Sequence, residues 1–517
     1  MTLSKAQTLD VVDFGLYQDI PKLTEFQEIV GADNDGFYVI RSEGFNGIIN
    51  PEDKLWLEYY GSLTMSQESV NEIILPVIGG EQSNFEKLFY LNKKLILFTS
   101  VKNNMEGKIN LYVQYLSQTG TVSNKPKKIA TVPISNLPSD RFNFLLTENN
   151  SKIVIYCHAT HKAYNGEPYS FVIIDTNLQV EFSEDFELPL NGKEFEIIKT
   201  RVGNSGLIYL LAKVKVDEKK KSNRSNNDDK YTFTMLVYNR DDQLFNTYDI
   251  TINKYIPCNV SFELNQEENI VIMGFFSAKS TKATGEFIGA FYKIIDPRIQ
   301  KELPPPDPKS YFTVFDKEFL AENLGGRNGE TPDQYNNFII RDIFITENNS
   351  MILLAENYYE TTSSFTDPQT KQEKFLYYYN YNDILAIGVN RDGKMAWVTR
   401  IPKYQTSLND FGYYCSYYAY KDINKIRIIF NDISANKDKK KPLEKIKQIK
   451  FRPESAPSGS AYLVTLYDDG SFEKDPLFPN KDAKAAIIPK MFYQAGERII
   501  TVAIKGKDYK FGGFIFE

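Results

Sequence analysis

The sequence predicts an all-β fold built from repeated antiparallel sheets, and three observations predict it. Tyr (34) and Phe (36) are abundant beside 2 Trp, and aromatic and β-branched residues suit pleated, half-buried strands. A unit of apolar run, polar turn and apolar run recurs eight times, with TENNS at the turn in two copies, Thr147–Ser151 and Thr346–Ser350. Most copies are followed by a second pair of strand-like runs.

In chain order the hairpins are QEIVGADNDGFYVI around Asn34, KLFYLNKKLILFT around Asn92, FLLTENNSKIVIY around Asn149 and IIKTRVGNSGLIYLLA around Asn204. SFELNQEENIVIMG around Glu267, IFITENNSMILLA around Asn348, YYAYKDINKIRIIF around Asp422 and MFYQAGERIITVA around Gly496 follow. Their turns lie 55 to 81 residues apart. Asn, Asp and Gly suit these tips because they tolerate left-handed backbone or form side-chain turns.

The second pair is clearest in NDILAIGVNRDGKMAWVTRIPK (382–403), with its turn at Asn390–Gly393 and Trp397 in the following strand. YTFTMLVYNRDDQLFNTYDI (231–250), GSAYLVTLYDDGSFEKDPLF (459–478) and YSFVIIDTNLQVEFSEDFEL (169–188) repeat the plan. GIINPEDKLWLEYYG (47–61) is read the same way, with Trp56 placed like Trp397.

Each unit is thus four antiparallel strands, A to D. Such a meander cannot bury both faces alone, so successive units must stack. Radial stacking produces a β-propeller and limits exposed edges. The last unit ends at GGFIFE, one strand short, and Leu9–Tyr17 is positioned to supply that strand. Eight blades closed by this N-terminal strand is the expected count, with seven the alternative. A pair of β-sandwiches fits the regular period less well. Residues 1–8 are read as a leader and 9–517 as a single propeller domain.

In an antiparallel blade the B–C and D–A connections emerge on one face. Long inserts fall in B–C connections at 217–230, 358–374 and 436–450, and in a D–A connection at 302–336. The last carries Pro304–Pro306 and a short helix expected from Asp316 to Gly325–Gly326. All four decorate one face, while the TENNS tips lie on the other. Loops on a rigid scaffold concentrate binding residues, so the decorated face is the candidate functional surface. Its candidate residues are Tyr358, Tyr359, Tyr377, Tyr378, Tyr379 and Tyr381 from YYYNYND and its neighbourhood, Phe312, Phe315 and Phe319, and Lys439, Lys440 and Lys441. Tyrosine suits interfaces and sugar stacking, although strand alternation also suits half of these rings to a core.

The totals exclude some classes. With 42% hydrophobic and 25% charged residues the chain is a folded protein, and its net charge of −6 argues against a nucleic-acid footprint. No apolar run is long enough for a transmembrane helix. Cys157, Cys258 and Cys415 have no metal or disulfide-framework spacing. CHATH (157–161) places its two histidines on opposite faces of a strand, and Asp33–Gly36 lacks the later ligands of a calcium loop. These, like the NRDG turns, read as ordinary strand ends and hairpin turns. The lysine-rich insert 436–450 reads as a solvated loop, and DEKKKSNRSNNDDK as a mixed-charge segment. No GxSxG, HExxH, P-loop or dinucleotide fingerprint occurs. No catalytic residue, metal or cofactor is therefore expected.

YYNYNDILAIGVNRDGKMAWVTRIPKYQ (378–405), preceded by FIIRDIFITENNSMILLAENYYE (338–360), resembles secreted β-propeller repeat proteins of Bacteroidota. Their repeat alternates a polar-turn hairpin with an NDI-apolar-DGK-W-IPK strand pair. The likeness is close in the last third of the chain and otherwise lies in the repeat plan. It implies an exported protein of the periplasm or cell surface, and it favours reading SKA-Q at residues 4–7 as the end of an export signal. A cytoplasmic protein with an ordinary leader is the alternative. The expected function is a non-enzymatic scaffold for a protein partner, as an accessory subunit of an outer-membrane transport or secretion assembly. A glycan-binding propeller is the alternative, and a carboxylate-dependent glycosidase or lyase a third reading.

Overall fold

The computed structural model describes residues 9–516 except 45–48, 135–141, 148, 158–168, 191–194, 217–230, 279–286, 305–310, 317, 319–325, 328–329, 392, 424, 439–441, 453–458 and 479–484. The leader 1–8, the insert 217–230, both histidines of CHATH and most of the helix expected after Asp316 lie outside the described residues.

Each of the eight expected hairpins forms the first two strands of a separate antiparallel sheet. The first sheet comprises Glu25–Ala32, Gly36–Ser42, Leu55–Gly61 and Gln67–Glu72. The sixth begins with Phe338–Ile345, Met351–Thr366, Glu373–Val389 and Met395–Ile401. In the eighth, Ala486–Ala495, Arg498–Lys505 and Asp508–Phe516 are joined by Leu9–Phe14, which pairs from Leu9↔Phe516 to Phe14↔Gly512.

Apolar clusters join each sheet to the next. Phe98 and Val113 of the second sheet meet Ile153 and Ile174 of the third, and Met273 and Phe275 of the fifth meet Leu353 and Leu385 of the sixth. Phe26, Phe37 and Tyr60 of the first pack with Val502, Tyr509 and Phe511 of the eighth. First strands of several neighbouring sheets touch one another, including the first sheet's with both the second's and the eighth's. A meander with two apolar faces has found neighbours for both. These are the sheets and interfaces of a β-propeller.

The two TENNS segments are A–B tips with one geometry. Asn149 Oδ1 accepts from the Thr147 hydroxyl at 2.9 Å and the Ser151 amide at 3.1 Å. Asn348 Oδ1 accepts from the Thr346 hydroxyl at 2.5 Å and the Ser350 amide at 3.0 Å. Asn150 and Asn349 take left-handed backbone, with φ of 54° and 62°.

Two sequence expectations need correction. Trp56 lies in the third strand of its sheet whereas Trp397 lies in the fourth, because Leu55–Gly61 pairs with both the hairpin and Gln67–Glu72, so the turn at Pro51 precedes the third strand rather than joining the third to the fourth. Residues 358–374, read as a loop insert, instead lengthen the second and third strands of the sixth sheet, which pair as far as Thr366↔Glu373. Their Tyr, Thr and Phe content supplies the strand propensity that the polar spacing obscured.

Candidate functional site

The sixth sheet changes character at its second strand. Glu356 pairs with Ile384 and Tyr358 with Tyr381, so a bulge at Asn357 redirects the hairpin. Nine further pairs, Tyr358↔Tyr381 to Thr366↔Glu373, carry an arm out of the sheet. At the strand rise of ~3.4 Å per residue it is about 30 Å long. Other segments fold against its base. Gln405–Leu408 pairs with Tyr378–Tyr381, and Ile449–Phe451 adds in parallel to Gln405–Ser407. The insert 436–450 thus supplies a strand to a small four-stranded annex. The insert 302–336 contributes Phe312–Val314 to the fifth sheet and the short helix Pro332–Tyr335 beneath the bulge.

The bulge is held by buried charge. Asp383 accepts from Arg327 at 2.6 Å and from the Lys403 amide at 3.0 Å, and it also pairs with Arg400. Burial alone would raise the Asp383 carboxyl, but the Arg327 and Arg400 guanidiniums overcome it and hold it well below the usual carboxylate range. Lys403 Nζ donates to Glu356 at 2.7 Å, to the Tyr381 carbonyl at 2.9 Å and to Gln405 at 3.1 Å. Arg341 and the Ser416 hydroxyl satisfy the other Glu356 oxygen at 3.1 and 2.8 Å. Asn357 and Asn382, opposite each other at the bulge, share a hydrogen bond of 3.2 Å. Each buried charge has a partner, the condition under which such groups are tolerated.

Strand alternation sorts the candidate tyrosines. Tyr358, Tyr377, Tyr379 and Tyr381 share one face of the arm, and Tyr359 and Tyr378 the other. Tyr379 and Tyr381 are only 7% and 9% exposed and pack with Cys415, Ile449 and Phe451. They are core residues of the annex rather than surface, and Phe315, 6% exposed, is a core residue between the fifth and sixth sheets. Phe312 is half-buried against Tyr255 and Phe276. Tyr358 stacks obliquely on Tyr381 at 4.7 Å, and Tyr359 donates to Glu330 at 3.2 Å. Tyr377 remains 47% exposed, and Tyr378 lines a groove. Phe319, Lys439, Lys440 and Lys441 lie outside the described residues.

The segment 409–416 runs under the annex and reaches the first sheet, where the Tyr413 hydroxyl donates to the Phe26 carbonyl at 3.0 Å. Asp410, its carboxyl pushed up by burial, caps the turn through the Gly412 amide at 3.0 Å. Gly412 has φ of +75°, and a Cβ there would meet the Tyr381 ring at 2.4 Å.

Sequence reasoning missed Arg327, Glu356, Asp383 and Lys403. Their only signal was charge inside apolar runs, as in LLAENYY and YNDILAI. It also missed ionic contacts between first strands: Lys199 and Arg201 pair with Glu263 at 3.2 and 2.9 Å, and Lys87 pairs with Glu28. Among the described residues, no group of three His, Cys, Asp or Glu could hold a metal ion, and no helix is long and apolar enough to cross a membrane. The three cysteines form no disulfide.

No protein-family model matches the chain, and no curated protein matches it. Among solved structures, the β-propeller domain of the Trilobed protease from Pyrococcus furiosus is 11% identical, with TM-score 0.33 over 89% of this chain and 100% of that one. The WD40 domain of SCAP from fission yeast is 10% identical, with TM-score 0.35 over 98% of each chain. An ulvan lyase, a polysaccharide lyase, is 9% identical, with TM-score 0.35 over 91% and 96%. The fold assignment rests on the sheets and interfaces themselves.

Proposed function

We propose that the chain is an eight-bladed β-propeller, closed by its N-terminal strand, that acts as a non-enzymatic scaffold for a protein partner in the bacterial cell envelope. The arm carries this reading. Its outer half is exposed on both strands and displays Phe365, Phe375 and Tyr377 at 44%, 52% and 47% exposure. Beyond Tyr358, the Met351–Thr366 strand pairs on one side only among the described residues. An exposed edge without proline or lysine is a template for another strand, and a partner's extended segment can pair along it. The buried charge network at its base holds the arm rigid, which lowers the entropy lost on binding.

The resemblance to envelope propellers supports the location, with an accessory role in an outer-membrane transport or secretion assembly as the setting. The test replaces residues 362–377 by Asn-Gly, joining the paired residues Thr361 and Tyr378 through a two-residue turn. Pull-downs from native envelope fractions should recover a stoichiometric protein with the full chain and lose it with the shortened arm. Retention of the same protein by the shortened arm, or a solely monomeric cytosolic chain, would sink the proposal.

A further inference from the structure

The annex has a second face, pointing away from Tyr379, Tyr381 and Phe451. Alternation along its four strands places Thr361, Tyr378, Asn380, Thr406, Leu408 and Lys450 on it, and Gln448 and Arg452, which flank the last strand, line the same side. These residues line a groove of 380 Å³, within the range of small-ligand sites. Its floor is a hydrogen-bonded row across two strands and the residue that precedes a third. Gln448 Nε2 donates to the Thr406 hydroxyl at 2.6 Å, and that hydroxyl donates to Asn380 Oδ1 at 2.8 Å. One end is cationic, with Lys450 and Arg452 both exposed. Among the described residues no carboxylate lines it, although the chain as a whole carries a net charge of −6.

We propose that this groove binds a short acidic saccharide, carboxylated or sulfated, with Lys450 and Arg452 receiving the anionic group. Arginine forks match carboxylate and sulfate oxygens, while the amides and hydroxyls of the floor match the donors and acceptors of a polyol. The Tyr378 ring supplies an apolar wall for a sugar face. An acidic peptide fits less well. The two central strands already use both backbone edges, so a peptide could not pair with them through its main chain. The site is separate from the outer arm, and shortening the arm at Thr361 and Tyr378 leaves it in place.

The test is calorimetric titration of the full chain with digalacturonate and with a heparin-type sulfated disaccharide. The methyl ester of digalacturonate, inorganic sulfate and tetraglutamate serve as comparisons. Binding of either acidic disaccharide is expected, weakened about tenfold or more by esterification or by K450Q/R452Q. Both substituted side chains are exposed, and circular dichroism would verify that the variant folds. Thr406→Val should weaken binding of the acid and of the ester alike, a pattern that a bare charge effect would not produce. Several results would overturn the proposal: no binding of either disaccharide at millimolar concentration, equal binding by K450Q/R452Q, sulfate alone binding as tightly, or tetraglutamate binding more tightly. None depends on partner capture by the arm.

Discussion

Lys403 Nζ stands 2.7 Å from Glu356 Oε1, and both side chains are wholly withdrawn from solvent. Glu356 is the last residue before the bulge, and Lys403 follows the fourth strand of the same sheet. Their contact locks the point at which a propeller sheet becomes a projecting arm. Lys403→Met leaves the Glu356 carboxylate with Arg341 and Ser416 but removes its buried countercharge. The expected cost is about 3–5 kcal/mol by urea denaturation. A K403M/E356L double variant should lose less than the sum of the two single variants. An additive result would show that the pair is not coupled.

Asp383 makes stability depend on acid. Its folded carboxyl is held below its unfolded value by Arg327 and Arg400. The stabilisation is therefore fully present above the unfolded value of about 4 and is lost as pH falls through the lower folded value. Asp383→Asn should lower stability at neutral pH and flatten this acid limb. Denaturation midpoints from neutral pH to pH 2 for both proteins decide it, and an identical acid limb would count against the assignment.

The TENNS tips are structural. Asn348→Ala removes the acceptor for Thr346 and Ser350 and should cost about 1 kcal/mol. Asn349→Val forces a β-branched residue into left-handed backbone and should destabilise by about 1–3 kcal/mol, whereas Asn349→Gly should be neutral within experimental error. Thermal unfolding measures all three. A full loss of partner capture by folded N348A would contradict the structural role.

Gly412→Ala tests the segment beneath the annex. Its positive φ and the nearby Tyr381 ring leave no room for a methyl group. The annex strands Gln405–Leu408 and Ile449–Phe451 should lose hydrogen-exchange protection, while the first sheet beyond Phe26 keeps its own. Unchanged protection in the annex would show that the segment does not support it.

The N-terminal strand should contribute to ring closure. The Phe14 ring packs on Phe478 at 5.1 Å and under Lys510 at 4.6 Å, and Tyr60 and Tyr509 hydroxyls meet at 3.0 Å between the first and eighth sheets. Removing residues 1–17 should lower the unfolding midpoint and raise exchange in Asp508–Phe516, which loses its outer partner. An unchanged midpoint would argue against closure by this strand.

The hairpins were legible in the sequence because their physics is local. Period-two alternation, Asn or Gly at tips and β-branched runs determine a strand–turn–strand without reference to distant residues. That is why the TENNS copies, Asn34, Asn92 and Gly496 all mark A–B turns. The arm was not legible: nothing local distinguishes a polar strand at 358–366 from a polar loop when its partner lies beyond a bulge. Nor could residue type separate buried Tyr379 from groove-lining Tyr378, since adjacent positions on one strand face opposite ways and the covering strand comes from 449–451.

By itself, then, the sequence determined the repeated four-strand unit and the hairpin turns that mark it. Tertiary structure alone decided the annex, the arm, the polar groove and the charge network that sets Asp383, Glu356 and Lys403 together. Those features depend on contacts between segments tens of residues apart, where packing and desolvation, rather than local backbone preference, select the arrangement.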